Sequence, residues 1–231
     1  MKNKVYKALA IIFYLLSLFI LIFCIKVRLS SGIYIYTNVR LMLLAISCIF
    51  IYLASFILVG KLKYTKKILK INLVIYCLIY TTTIITLTLF DEIFGRNGLV
   101  FVHWNKELLN LYMKTSFNII PFKTINLFIN GYINGYVSFK NFWVNIYGNL
   151  FALMPYGMFI PLIFKKINKY YKFLLLMIIL VICIELLQFI TLSGSCDIDD
   201  LILNVMGASI IYFIFRIKIV RKIINRIFLF E

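Results

Sequence analysis

An all-α polytopic membrane bundle with about six transmembrane helices is the fold class expected of this chain, on three grounds. Of the 231 residues, 64% are hydrophobic and 14% are charged. The mean hydropathy is +1.01. The apolar residues are gathered in runs close to the roughly 20 residues that a helix needs to cross a hydrocarbon core. A soluble domain of this length is about half apolar and a quarter charged, so composition excludes an ordinary globular protein in water. One His, 5 Cys and 3 Pro leave no material for a His-rich zinc site, a disulfide framework or a Pro-rich linker.

The apolar runs cover residues 8–25, 41–59, 71–90, 144–164, 173–192 and 201–215, the last extended by 217–220. The first follows Lys2, Lys4 and Lys7, as the core of a secretory signal would. It is longer than the usual signal core of roughly 7–15 residues, and no small-residue cleavage site follows. Phe23 before Cys24 also argues against lipoprotein cleavage, so the run is read as a retained helix. The first two runs read as nearly featureless apolar helices and form an N-terminal hairpin over 1–70. The other four, with an outer segment at 91–143, make a second domain over 71–215, and a basic tail occupies 216–231. The two halves share no interrupted helices or matching polar residues, so no transporter-type repeat is expected.

A net charge of +17 would point to nucleic acid in a soluble protein. Here the basic residues sit in short clusters between apolar runs, so nucleic acid is not the expected partner; membrane lipids are. With the N-terminus inside, seventeen of the 25 Lys and Arg fall on inner segments, which is the arrangement that membrane insertion favours. Both termini are therefore expected in the cytoplasm, with the basic clusters anchored to anionic head groups.

The outer segment is too short and too aromatic to hold a core of its own and is expected to form interfacial pieces. Asn130-Gly131 and Asn134-Gly135 mark turns in it. His103, the single histidine, stands beside Trp104 and reads either as an interfacial aromatic pair or as a functional base. Cys24, Cys48, Cys77 and Cys183 read as small apolar residues, and Cys196 as an unpaired outer thiol.

The residues that carry chemistry begin at Asn118. Glu185 lies inside the fifth run with Gln188 three positions later, so both share a helical face. A carboxylate in hydrocarbon costs several kcal/mol unless it is paired, protonated or turned toward a polar interior, so Glu185 is expected to face the bundle. The fourth run carries Asn149 and then Pro155, Gly157 and Pro161, which should kink it. Three of the four Asp residues stand together as Asp197, Asp199 and Asp200 at the head of the sixth run. On a helix Asp197, Asp200, Asn204 and Ala208 share a face with Gly207 beside them, while Asp199 leaves it and is expected to matter least. One aspartate before a helix is explained as a cap. Three crowded carboxylates need a raised pKa, a basic partner such as Lys114 or Lys123, or a divalent cation held by Asp197 and Asp200. At about 1.5 Å of rise per residue, Asn149, Glu185, Gln188 and Asn204 fall at similar depths in the outer half of the membrane, which implies a polar cavity opening outward.

At these residues the chain resembles the VanZ-like family of bacterial integral membrane proteins. The resemblance is carried by Asn118-Ile-Ile-Pro121-Phe122-Lys123-Thr124-Ile125, by Gly148-Asn149-Leu-Phe151 with Pro155-Tyr-Gly157 and Pro161, by Glu185-Leu-Leu-Gln188, and by Asp197-Ile-Asp199-Asp200 followed by Asn204 and Gly207. It spans roughly 71–215. Where the family often has Arg before the aspartates, this chain has Ser193. The resemblance implies a cell-membrane protein of the bacterial envelope, in a family named for low-level resistance to teicoplanin, a glycopeptide acting on cell-wall precursors outside the membrane.

Three readings are carried forward. The chain is a non-enzymatic envelope protein binding a glycopeptide or lipid-linked cell-wall precursor at the outer leaflet, or an intramembrane enzyme acting on a lipid phosphate or sugar with a cation on the aspartates, or a small carrier using Glu185.

Overall fold

Long apolar segments in hydrocarbon must satisfy every backbone group within themselves, and helices do this. The computed structural model describes residues 2–29, 35–64, 67–90, 105–191 and 194–227, and among them the fold is all-α apart from two two-residue strands. The chain divides into two compact units, Met1–Thr81 with Ile219–Glu231, and Thr82–Lys218.

The first unit holds α1 (Lys2–Leu29), α2 (Thr37–Ser55) with a π-helical continuation (Phe56–Lys61), and the start of α3 (Lys67–Phe90). Small residues at seven-residue intervals, Ala10, Ser17 and Cys24 on α1 and Ser47 and Ala54 on α2, are all buried. Without a hydrophobic driving force between helices in lipid, such a seam lets backbones approach and gain dispersion and hydrogen bonds. The few polar groups of these nearly featureless spans meet one another. Ser17 and Ser47 share a hydrogen bond of 2.8 Å. The Asn72 amide of α3 donates to Ser55 Oγ and to Tyr14 Oη. A reading by hydropathy averages these Ser residues away, because a single hydroxyl scarcely lowers the mean of a run rich in Ile, Leu and Phe.

The second unit continues with α4 (Lys106–Thr115), β1 (Phe117–Asn118), α5 (Lys123–Ile133), α6 (Phe139–Trp143), a π-helical turn (Val144–Gly148), α7 (Asn149–Ala152), α8 (Tyr156–Ile163), a 3₁₀ turn (Lys165–Ile167), α9 (Tyr170–Thr191), β2 (Cys196–Asp197) and α10 (Ile198–Ile214). The helix α11 (Lys218–Ile227) follows. Asn105 begins α4 by accepting the Leu108 N–H on its side chain at 2.7 Å. Among the described residues, 105–143 form the short helices α4, α5 and α6 with β1 between the first two, and α6 already belongs to the fourth candidate span. That span, Phe139–Ile163, is interrupted twice, by the π turn and by tight turns at 153–155 that hand the chain to Pro155 at the head of α8. Proline lacks the N–H that would continue the ladder, and at the head of a helix that donor is not needed.

Five helices among the described residues are long and apolar enough to span a membrane, and a sixth only if α10 and α11 are counted together. The extension of the sixth run through 217–220 is corrected here. The helix α10 ends at Ile214, a turn covers Phe215–Ile217, and Val220 belongs to α11. The reason is local: Arg216 donates to the carbonyl and to Oδ1 of Asn168 and lies over the Tyr212 ring at 4.4 Å, which draws the chain out of register with α10.

Two glycines set how closely α10 is approached. A Cβ on Gly157 of α8 would run into the Ala208 carbonyl oxygen, and one on Gly207 of α10 would run into the Leu150 carbonyl oxygen. The helix α8 therefore gives up a side chain where the backbone of α10 passes, and α10 gives one up where the backbone of α7 passes.

Candidate functional site

The two strands pair in parallel, Phe117 opposite Cys196 and Asn118 opposite Asp197, and the Cys196 N–H donates to the Ser116 carbonyl at 2.9 Å. This brings the segment ahead of α5 beside the segment ahead of α10. The polar groups at the mouth of α10 are organised by that pairing.

Asp197 is the N-cap of α10, with extended backbone, and its side chain accepts the Asp199 N–H at 2.9 Å. The same Oδ1 accepts from the Asn118 amide at 2.9 Å. Asn118 in turn shapes its own loop: its Oδ1 accepts the Ile120 N–H at 3.1 Å, and its amide also donates to Thr124 Oγ1 at 3.1 Å. Pro121 then leads into Phe122, whose φ of 65° is left-handed. This conformation is uncommon for an aromatic residue, and it turns three amides at the head of α5 toward one point.

Asp199 occupies that point. Its Oδ1 accepts the Phe122 N–H at 2.5 Å, and its Oδ2 accepts Thr124 N–H at 2.7 Å and Ile125 N–H at 3.0 Å. Phe122 offers no side-chain cap to α5, so the carboxylate of another helix supplies it. A carboxylate at a helix N-terminus meets both the orphan N–H groups and the positive end of the dipole. Asp199 does leave the Asp197–Asp200–Asn204 face, but it is not the peripheral member: at 1% exposure it is the most enclosed of the three aspartates.

Asp200 accepts from the Asn149 amide of α7 on Oδ1, and its main-chain carbonyl accepts from the Asn204 amide at 2.8 Å. Glu185, buried in α9, accepts the Asp197 N–H on Oε2 at 3.1 Å. The structure therefore joins Asn118, Asn149, Glu185, Asp197, Asp199, Asp200 and Asn204 in one cluster. Gln188 is apart from it, donating to the Thr88 carbonyl of α3 at 3.3 Å. The partners that meet Asp197 and Asp199 are amide groups, not Lys114 or Lys123, whose side chains are exposed. His103, Trp104 and Ser193 lie outside the described residues. Pro155, Gly157 and Gly207 act on packing, as described above.

Among the described residues, no three His, Cys, Asp or Glu side chains form a group that could hold a metal ion. Glu185, Asp197, Asp199 and Asn204 are each less than a tenth exposed, while Asn118, Asn149 and Asp200 are half-buried. The field is nonetheless negative. Burial first, and then the charges of Glu185, Asp197 and Asp200, hold the Cys196 thiol above its ordinary value.

One participant escaped the sequence. Tyr112 of α4 is buried, donates its hydroxyl to the Gly194 carbonyl at 3.0 Å and packs edge-on to Phe189 at 5.2 Å. Its signal is present but weak: α4 is amphipathic, and Tyr112 is the aromatic on its apolar face.

These features define a polytopic helical membrane protein in which a carboxylate and amide cluster at the head of α10 fastens the N-terminus of the short helix α5. The chain belongs to the VanZ/LLP1 family, whose model matches residues 74–221. No curated protein and no solved structure is similar enough to count as a match.

Proposed function

We propose that the protein is a non-enzymatic component of the bacterial cell membrane that binds an amphiphilic cell-wall ligand at the outer leaflet, a lipid-linked precursor or a glycopeptide such as teicoplanin, with both termini in the cytoplasm. The reading is supported above all by the three main-chain N–H groups held by Asp199. A carboxylate so engaged is a fastener rather than a base, and what it fastens is the surface of α5 and α6.

That surface is apolar and aromatic. Leu127 is 58% exposed, Ile133 73%, Tyr136 88% and Phe139 60%. Tyr132 stacks on Phe142 at 4.8 Å and Trp143 on Tyr147 at 4.2 Å, which stiffens the face. Aromatic side chains of this kind settle at the boundary between head groups and acyl chains, where drug and lipid-linked precursor both arrive.

The test is expression in a susceptible bacterium, with teicoplanin inhibition and bound lipid (by native mass spectrometry) read for wild type, Asp199→Asn, and the exposed pair Tyr136→Ser with Phe139→Ser. Loss of both signals in the surface pair, at unchanged protein level, is the expected result. A surface pair that keeps its lipid complement and its effect on teicoplanin overturns the reading.

A further inference from the structure

The helix α11 has an amphipathic face with a definite chemistry. Its sequence, Lys218–Ile227, holds Lys218, Arg221, Lys222 and Arg226 and no acidic residue. At about 100° per residue, Ile219, Val220, Ile223 and Ile224 form one side and the four basic residues the other. Ile219 is 71% exposed and Ile223 52%, and all four basic side chains are exposed.

The turn ahead of α11 adds a second observation. Arg216 is tied to Asn168, in the loop between α8 and α9. That loop and the first turn of α9 present Lys165, Lys166, Lys169 and Lys172, all exposed. A helix that leaves a membrane span with isoleucines on one side and lysines and arginines on the other has the composition of an in-plane interfacial helix. Its charge complement is an anionic phosphate surface.

We propose that α11 is an in-plane membrane anchor that recognises anionic phospholipid, with Ile219 and Ile223 in the acyl boundary and Lys218, Arg221, Lys222 and Arg226 on lipid phosphates. The proposal uses none of the residues of the aspartate cluster and does not depend on the outer-leaflet function proposed above.

Hydrogen exchange of the full-length protein in nanodiscs tests it, comparing pure phosphatidylcholine with phosphatidylcholine containing phosphatidylglycerol. Each basic residue near an anionic surface favours association about fivefold, so the amides of 219–227 are expected to exchange on the order of tenfold more slowly in the anionic bilayer. High salt, and the variant Lys218→Gln, Arg221→Gln, Lys222→Gln and Arg226→Gln, remove that difference while protection of α9 and α10 stays as in wild type. Equal protection of α11 in the two bilayers, whether high or low, overturns the proposal. Should the variant fail to insert, the comparison of wild type in the two lipids decides alone.

Discussion

The carboxylate of Asp199 caps a helix to which it does not belong, accepting the Thr124 amide at 2.7 Å across 75 residues of sequence. Through it the mouth of α10 and the head of α5 become one structural element. Asp197 on one side caps α10, and Asp200 on the other receives Asn149. The three neighbouring aspartates thus have three separate tasks.

Asp199→Asn replaces one of the two acceptor oxygens by an NH₂ that faces other N–H groups. A buried donor left without a partner costs about 1–3 kcal/mol, so thermal unfolding in detergent should occur well below wild type, with Asp199→Ala lower still. Wild-type stability in Asp199→Asn would mean that the three-amide contact contributes nothing to holding α5.

Glu185 stands in α9 with Oε2 on the Asp197 N–H at 3.1 Å. Glu185→Gln keeps an oxygen acceptor for that N–H, whereas Glu185→Leu leaves it buried and unmatched at a cost of about 1–3 kcal/mol. Gln is expected to fold and express better than Leu. Indistinguishable melting temperatures for the two variants would sink the argument.

Gly207→Ala and Gly157→Ala each press a methyl group into backbone, the first against the Leu150 oxygen and the second against the Ala208 oxygen. Backbone does not yield as a flexible side chain does, and overpacking of this kind costs about 1–3 kcal/mol or more. A methyl group on Gly60 would meet nothing within 4 Å, so Gly60→Ala serves as the control. Lower yield and melting temperature are expected for the first two alone; a Gly60→Ala variant as damaged as Gly207→Ala would point to a general intolerance of glycine replacement.

Cys196 reports on both the field and the membrane side. Because burial and neighbouring carboxylates raise its pKa, less thiolate is present at neutral pH than for an ordinary cysteine, and maleimide labelling should be slow and quicken as pH rises. Glu185→Gln removes one of the charges that raise the pKa, so labelling at a given pH should become faster. In intact cells at mildly alkaline pH, an impermeant maleimide is expected to reach Cys196 and to miss a cysteine placed at Lys166. The opposite pattern would reverse the proposed orientation.

Local chemistry along the chain is enough to establish the class of solvent and the identity of the polar participants. Hydropathy is a local sum, so runs of Leu, Ile and Phe locate the spans, and Pro155 locates a break in the fourth, without knowledge of any neighbour. The spacing of Asn118, Asn149, Glu185 and Asp197–Asp200 singles out the residues that meet, since a carboxylate or amide in an apolar run demands a partner whatever the fold. Which partner each one takes is settled by the folded chain alone. Asn118 and Asp197 are 79 residues apart, and their contact depends on a two-residue parallel pairing too short to leave a pattern in sequence. Viewed from the helix it sits on, Asp199 leaves the shared face, yet its bonds are set by the left-handed turn at Phe122 on a different segment. The seam of Ser17, Ser47, Ser55 and Asn72 is hidden for the same reason. A hydroxyl scarcely changes the hydropathy of its own helix, and gains its significance only when a second helix brings a partner within hydrogen-bond reach.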